Sequence, residues 1–194
     1  MSDVVGRLIA AMVLTLSSVA ASAQAVEVEG VKFAPTAEVG GAALQLNGAG
    51  LRTRAIFKVY VAGLYVPQKA NNAAALLAQK GPRRVVITML RNVDAETFSG
   101  ALTEGLQKNL SEAQFAGFKA QIDALSANFK AAGEAKKGDV IHLEFAPDTG
   151  TRVVINGKVQ GSAIAGEEFY GALLRIWLGD KPVDGDLKKG LVGA

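Results

Sequence analysis

The chain reads as an α+β domain, an antiparallel sheet with helices packed on one face, and three observations predict it. Strand-like runs come first, two helical stretches follow, and further strands and a closing helix end the chain. That order favours α+β over a strictly alternating α/β arrangement. Asn156-Gly157 lies between two alternating runs, the strongest short-range signal for a hairpin. Phe115, Phe118, Ile122, Leu125 and Phe129 recur at spacings of 3, 4, 3 and 4, the apolar stripe of a helix that covers a sheet.

Taken in order, "VEVEGVKF" (26–33) alternates around Glu29-Gly30 and reads as a short hairpin or bent strand, interrupted by Pro35. "AALQLNGAGLR" (42–52) is a strand whose glycines permit bending or close approach. Residues 53–66 form the longest β-like run, ended by Pro67. A short helix over 71–80 is capped by Asn71 or Asn72. "RRVVITMLRNV" (83–93) is dense in β-branched residues and reads as a largely buried strand. Asp94 caps a helix over 95–109, Ser111 caps one over 112–131, and Gly133 closes it. Strands over 139–147 and 151–165 precede a helix over 166–179 and a last short one over 184–190.

Residues 1–23 read as a signal peptide. Arg7 supplies the charged start, "LIAAMVLTLSSVAA" (8–21) the apolar run, and Ala21-Ser22-Ala23 a small-x-small cleavage site. The run is short for a membrane anchor. Residues 24–194 then form one domain, expected to be periplasmic or secreted. The chain has no cysteine, which removes disulfides and thiolate metal sites, and its net charge of +3 is scattered. Nucleic-acid binding needs a concentrated basic stripe, so none is expected. The weak positive charge instead suits an anionic small ligand or membrane surface.

Catalytic chemistry is sparse. His142 is the only histidine and sits in an alternating strand, so a metal site and a histidine-activated nucleophile both lack partners. Glu167 and Glu168 open a helix and suit its dipole. No phosphate-cradling glycine loop opens a helix, and no cofactor is expected. The polar surprise is "NGAGLRTRAIFKVYVAGLYV" (47–66), where Arg52, Arg54, Lys58 and Tyr60 share one parity. An unbroken strand points all four to one face, either a solvated face or the wall of a basic pocket.

"NGAGLR" followed by "FKVYVAGLYV", a strand, two helices, a hairpin and the closing "ALLRIWLG" resembles the chalcone isomerase fold over residues 26–193. More narrowly, it is similar to the signal-peptide-bearing bacterial chalcone isomerase-like proteins. The resemblance implies an open-faced β-sandwich, a large antiparallel sheet with a layer of helices and a ligand cleft between them. It matches Arg52 to the family's arginine after the glycine-rich turn, and Tyr60 to the threonine of the plant isomerases. The segment between them is shorter here than in the isomerases. An arginine paired with a tyrosine is the arrangement of the fatty-acid-binding relatives, where the two hold a carboxylate. The isomerases' tyrosine and asparagine correspond to Phe98 and Gly105, which cannot donate the hydrogen bonds of that chemistry.

The resemblance therefore implies a non-catalytic protein binding a fatty acid or similar apolar carboxylate through Arg52 and Tyr60, with Arg91 as a third donor. Pairing of Arg91 with a structural carboxylate is the other reading of that residue, and solvation is the reading of Arg54 and Lys58. Two competing functions remain: an isomerase, or intramolecular lyase, acting on an enone or chalcone-like substrate with Arg52 stabilising an enolate-like oxygen, and a partner-binding protein whose cleft is closed. The aromatic stripe over 115–129 reads as core packing before it reads as the wall of an acyl tunnel.

Overall fold

A computed structural model describes residues 25–193, so the expected leader over residues 1–23 lies outside the described residues. Two short strands, β1 (Val26–Val28) and β2 (Val31–Phe33), form a hairpin. Seven more make one antiparallel sheet in sequential order: β3 (Thr36–Val39), β4 (Ala42–Arg54), β5 (Phe57–Val66), β6 (Arg83–Met89), β7 (Val140–Ala146), β8 (Gly150–Ile155) and β9 (Lys158–Ile164). The helices are α1 (Ala73–Ala78), α2 (Ala95–Asn109), α3 (Glu112–Gly117), α4 (Lys119–Ala132), α5 (Glu167–Leu178) and α6 (Gly185–Val192). Among the described residues no helix is long and apolar enough to cross a membrane.

Helix limits follow their expected caps. The carboxylate of Asp94 accepts from Thr97 N at 2.8 Å, and the Asn72 side chain accepts from Ala75 N at 2.8 Å. Ser111 and Gln114 form a reciprocal capping box at α3. Two expectations need correction. The stretch 112–131 is two helices, because Phe118 leaves helical geometry at φ −98, ψ 9 and packs its ring 5.8 Å from that of Phe169. The run 53–66 is likewise divided, because Ala55-Ile56 forms a two-residue turn between Arg54 and Phe57. Ala55 takes φ 54 there, a left-handed conformation that an alanine rarely adopts and for which the sequence carries no glycine or asparagine signal. Strand β3, beyond Pro35, was not expected at all.

Two bulges decide which residues of β4 and β5 face the helices. Leu46 pairs with Tyr65 but Gly48 with Leu64, so Asn47 is the extra residue and reverses the strand's parity. Leu44 and Leu46 consequently join Phe33, Val61 and Tyr65 in an outer cluster under the β1–β2 hairpin. Gly48, Gly50 and Arg52 face the helices instead. There a Cβ on Gly48 would run into the Gly190 carbonyl oxygen, and one on Gly190 would lie 2.5 Å from that of Ala49. Only glycines let α6 lie so close to β4.

The main core lies between sheet and helices and unites Leu64, Ile87, Ile141, Leu143 and Val153 with Leu106, Phe129, Phe169, Leu173 and Trp177. Ile122, Leu125 and Phe129 belong to it, so the C-terminal part of the aromatic stripe is core. On the outer face Glu144 bridges Arg84 at 2.6 Å and Arg152 at 2.7 Å across three neighbouring strands. His142 is half-buried on β7, and among the described residues no cluster of three metal-ligating side chains exists.

Candidate ligand cleft

The second bulge builds the site. Arg52 pairs with Tyr60 and Thr53 with Lys58, leaving Val59 as the inserted residue. Arg52, Arg54, Phe57 and Tyr60 thereby turn toward the helix side, while Lys58 goes to the other face and pairs with Glu29 at 2.6 Å. The four polar groups of 52–60 do not share one face, as an unbroken strand would require. Lys58 is solvated and paired, whereas Arg54 is exposed and borders a cleft.

That cleft has a volume of about 550 Å³ and opens between the β4–β5 hairpin, the segment after β6 and the first turns of α2. Its apolar lining is Ala55, Phe57, Val59, Val93, Phe98 and Ala101; Arg52, Arg54 and Arg91 supply positive charge, and Asp94 and Glu134 negative charge. The wall after β6 is held by a two-way backbone bridge, Val93 N to Ala135 O at 2.8 Å and Ala135 N to Val93 O at 2.9 Å. The Asp94 carboxylate is engaged in capping α2, and its hydrogen bond with Thr97 holds it below the usual carboxylate range.

Arg52 is half-buried, and its Nε is buried without a hydrogen-bond partner. Its guanidinium carbon lies 5.3 Å from the centroid of the Tyr60 ring, within cation–π range. Arg91 is exposed and stacks over Phe57, with its guanidinium carbon 4.6 Å from the ring centroid. Among the described residues none of Arg52, Arg54 and Arg91 forms a salt bridge, so a structural carboxylate is not what Arg91 serves. Arg52 and Arg54 also border a smaller polar groove of about 260 Å³ with Glu104, Lys108 and Lys181.

Tyr60 is brought beside Arg52 but does not line the cleft. It is 2% exposed, and its hydroxyl accepts a hydrogen bond from Trp177 Nε1 at 2.9 Å. Burial pushes the phenol's pKa up, against the lowering effect of Arg52, so the ring is neutral at physiological pH. Trp177 lies 117 residues away in sequence, and nothing local in "ALLRIWLG" announces the pairing. Phe57 and Glu134 also line the cleft, and no motif in the sequence singles out either; Phe57 reaches it only because the Ala55-Ile56 turn sets it opposite Arg54.

The positions matched to the isomerases' catalytic pair carry no polar group into the cleft. Phe98 lines it and packs 4.9 Å from the Phe129 ring. Gly105 backs onto α5, where an added Cβ would lie 2.9 Å from Ile176 Cγ2, leaving no space for an asparagine side chain.

A second cleft of about 450 Å³ lies between α3 and α5 and includes Leu77, Lys80, Arg83, Phe118 and Arg175. Arg83 is fully buried and donates from Nε to Gly81 O at 3.0 Å, from Nη1 to Gln79 O at 2.7 Å and from Nη2 to Glu167 at 2.9 Å. Glu167 also accepts from Gly81 N at 2.7 Å, a structural use beyond complementing a helix dipole.

Comparison with known proteins agrees with this architecture. The crystal structure of an Arabidopsis thaliana fatty-acid binding protein matches with a TM-score of 0.67 at 17% identity, covering 87% of this chain and 96% of that one. At that identity the likeness establishes the fold, an open-faced antiparallel sheet with helices on one side. No curated protein matches the sequence. A family model described as chalcone isomerase-like matches residues 25–193. The whole described chain falls within that match, and the protein belongs to the chalcone isomerase-like family.

Proposed function

We propose that the protein binds, without catalysis, a fatty acid or similar apolar carboxylate in the 550 Å³ cleft. The observation that carries this reading is Arg52: a half-buried guanidinium with a buried, unpartnered Nε in the wall of a largely apolar cleft. Removing a guanidinium from water costs several kcal/mol unless an acceptor replaces the solvent. A carboxylate does so bidentately, each charge-assisted bond contributing about 1.5–3 kcal/mol. An acyl tail adds about 0.8 kcal/mol per buried methylene before ordering costs, so the tail supplies affinity and Arg52 orientation.

Arg91 serves as the second donor across the cleft mouth, its stack on Phe57 keeping it near the lining. Tyr60 acts through Arg52: its ring supports the guanidinium, and its hydroxyl proton is left to donate once Trp177 has filled a lone pair. The cleft volume falls within the range of small-molecule sites, roughly 300–1,000 Å³. The fatty-acid-binding function of the Arabidopsis relative supports the ligand class, and Phe98 and Gly105 weigh against ring-closing chemistry.

The apolar run at 8–21 and the cleavage site after it support an exported protein, acting in the periplasm or outside the cell. Native mass spectrometry of the purified protein, with fatty-acid titration of the wild type and Arg52→Ala, tests the ligand. A bound acyl acid and at least a tenfold loss of affinity in the variant are expected. Absence of any bound lipid together with equal affinities refutes the reading.

A further inference from the structure

The rim of the cleft carries an apolar tip that the fold itself does not use. Among the described residues four hairpins turn in two residues: Glu29-Gly30, Gly40-Gly41, Ala55-Ile56 and Asn156-Gly157. Three end in a glycine at positive φ, the residue such turns favour. The turn at the cleft departs from that pattern. Ala55 accepts φ 54, and Ile56 stands 86% exposed beside Phe57 at 53%. Single exposed apolar side chains are ordinary, but two adjacent ones at a hairpin tip are not explained by the core. Arg54 and Arg91 flank them, both exposed and neither in a salt bridge among the described residues, while Asp94 and Glu134 line the cleft beside the Val93–Ala135 bridge, Asp94 engaged in capping α2.

We propose that the β4–β5 tip docks the protein on an anionic phospholipid bilayer, Ile56 and Phe57 entering the interface and Arg54 and Arg91 meeting the headgroups. A small apolar contact gives only marginal membrane binding, and a basic partner signal makes it effective. Both signals are present here within one hairpin and the segment beside it. Ala55 and Phe57 line the cleft, so a docked tip holds the cleft mouth at the bilayer surface. A neutral protein partner would not need the arginines, whereas an anionic membrane complements both features. Arg91 is shared with the proposed ligand site, whereas Ile56 belongs to docking alone.

Ile56→Trp makes the tip its own reporter, because Ile56 is exposed and does not line the cleft, and the natural Trp177 is 1% exposed. The full chain is mixed with vesicles of phosphatidylcholine, with and without phosphatidylglycerol, carrying brominated acyl chains. The tip's emission is expected to shift to the blue and be quenched on the anionic vesicles, weakening as salt is raised. Adding Phe57→Ser should weaken the effect by about tenfold. An unshifted, unquenched tip overturns the proposal, even where the chain sediments with vesicles, since the apolar run at 8–21 alone can cause that. Equal response on neutral and anionic vesicles overturns the role of the arginines. Ile56→Ser should leave affinity for dissolved fatty acid unchanged, so failure of docking and failure of the ligand reading are separable.

Discussion

Arg52 and Arg83 each hold a guanidinium carbon 5.3 Å from a buried tyrosine ring, Tyr60 for one and Tyr170 for the other, yet they end in opposite states. Arg83 is enclosed by acceptors the chain itself provides: two backbone carbonyls and Glu167. Its tyrosine donates to Leu143 O at 2.8 Å, completing the set. Arg52 has a buried Nε with no acceptor, and its tyrosine accepts from Trp177. A buried cation supplied with its own acceptors is a structural element. Arg52 is only half-buried and leaves its Nε unmatched by any acceptor of the chain, and that contrast is what the proposed ligand reading rests on. The cleft around Arg83 is comparable in size, about 450 against 550 Å³, yet its arginine is already satisfied.

The contrast is most easily broken at Arg83. Arg83→Met strands Glu167 and two carbonyls in a largely enclosed place, and should cost about 3–5 kcal/mol in denaturant unfolding. Tyr60→Phe comes next: it leaves the buried Trp177 Nε1 without an acceptor and should cost about 1–3 kcal/mol. Adding Trp177→Phe tests this by a double-mutant cycle, in which the two losses should be less than additive. A Tyr60→Phe protein of wild-type stability that has lost fatty-acid affinity would instead give the hydroxyl to the ligand directly.

Arg52→Met should change stability by less than about 1 kcal/mol, because it removes a cation–π contact with Tyr60 and strands no charged partner. A loss comparable to that of Arg83→Met would make Arg52 structural and erase the distinction. The smallest effect belongs to the outer face. Burial, with the charge of Arg84 alongside, holds His142 below its ordinary 6.5. The unfolded chain therefore binds the proton first, and stability falls as pH drops below 6.5 toward the folded value, then levels off. Thermal unfolding followed from about pH 7 to about pH 5 should show a steeper decline for the wild type than for His142→Gln.

Much of the fold was legible because its signals are local. Asp94, Ser111 and Gly133 mark helix ends by their own side-chain and backbone chemistry, and Asn156-Gly157 fixes its hairpin in two residues. The turn at Ala55-Ile56 was invisible because it lacks such residues, and with it the division of residues 53–66 was lost. Phe118 looked like one more member of a periodic stripe, since only its contact with Phe169 reveals the break.

By itself the sequence determined the α+β class, most of the order of its elements, the family, and a segment carrying Arg52 and Tyr60 that is too polar for a plain core strand. It also settled that Phe98 and Gly105 bring no hydrogen-bond donor to the positions they occupy. Only the tertiary structure decided which face each arginine takes, because single-residue bulges at Asn47 and Val59 reverse a strand's parity and leave no mark in the residue pattern. It likewise decided that Trp177, not the cleft, holds the Tyr60 hydroxyl, and that Arg54 and Arg91 join Arg52 around an exposed tip. Those outcomes depend on contacts between residues far apart in sequence, and such contacts exist only once the chain has closed its core.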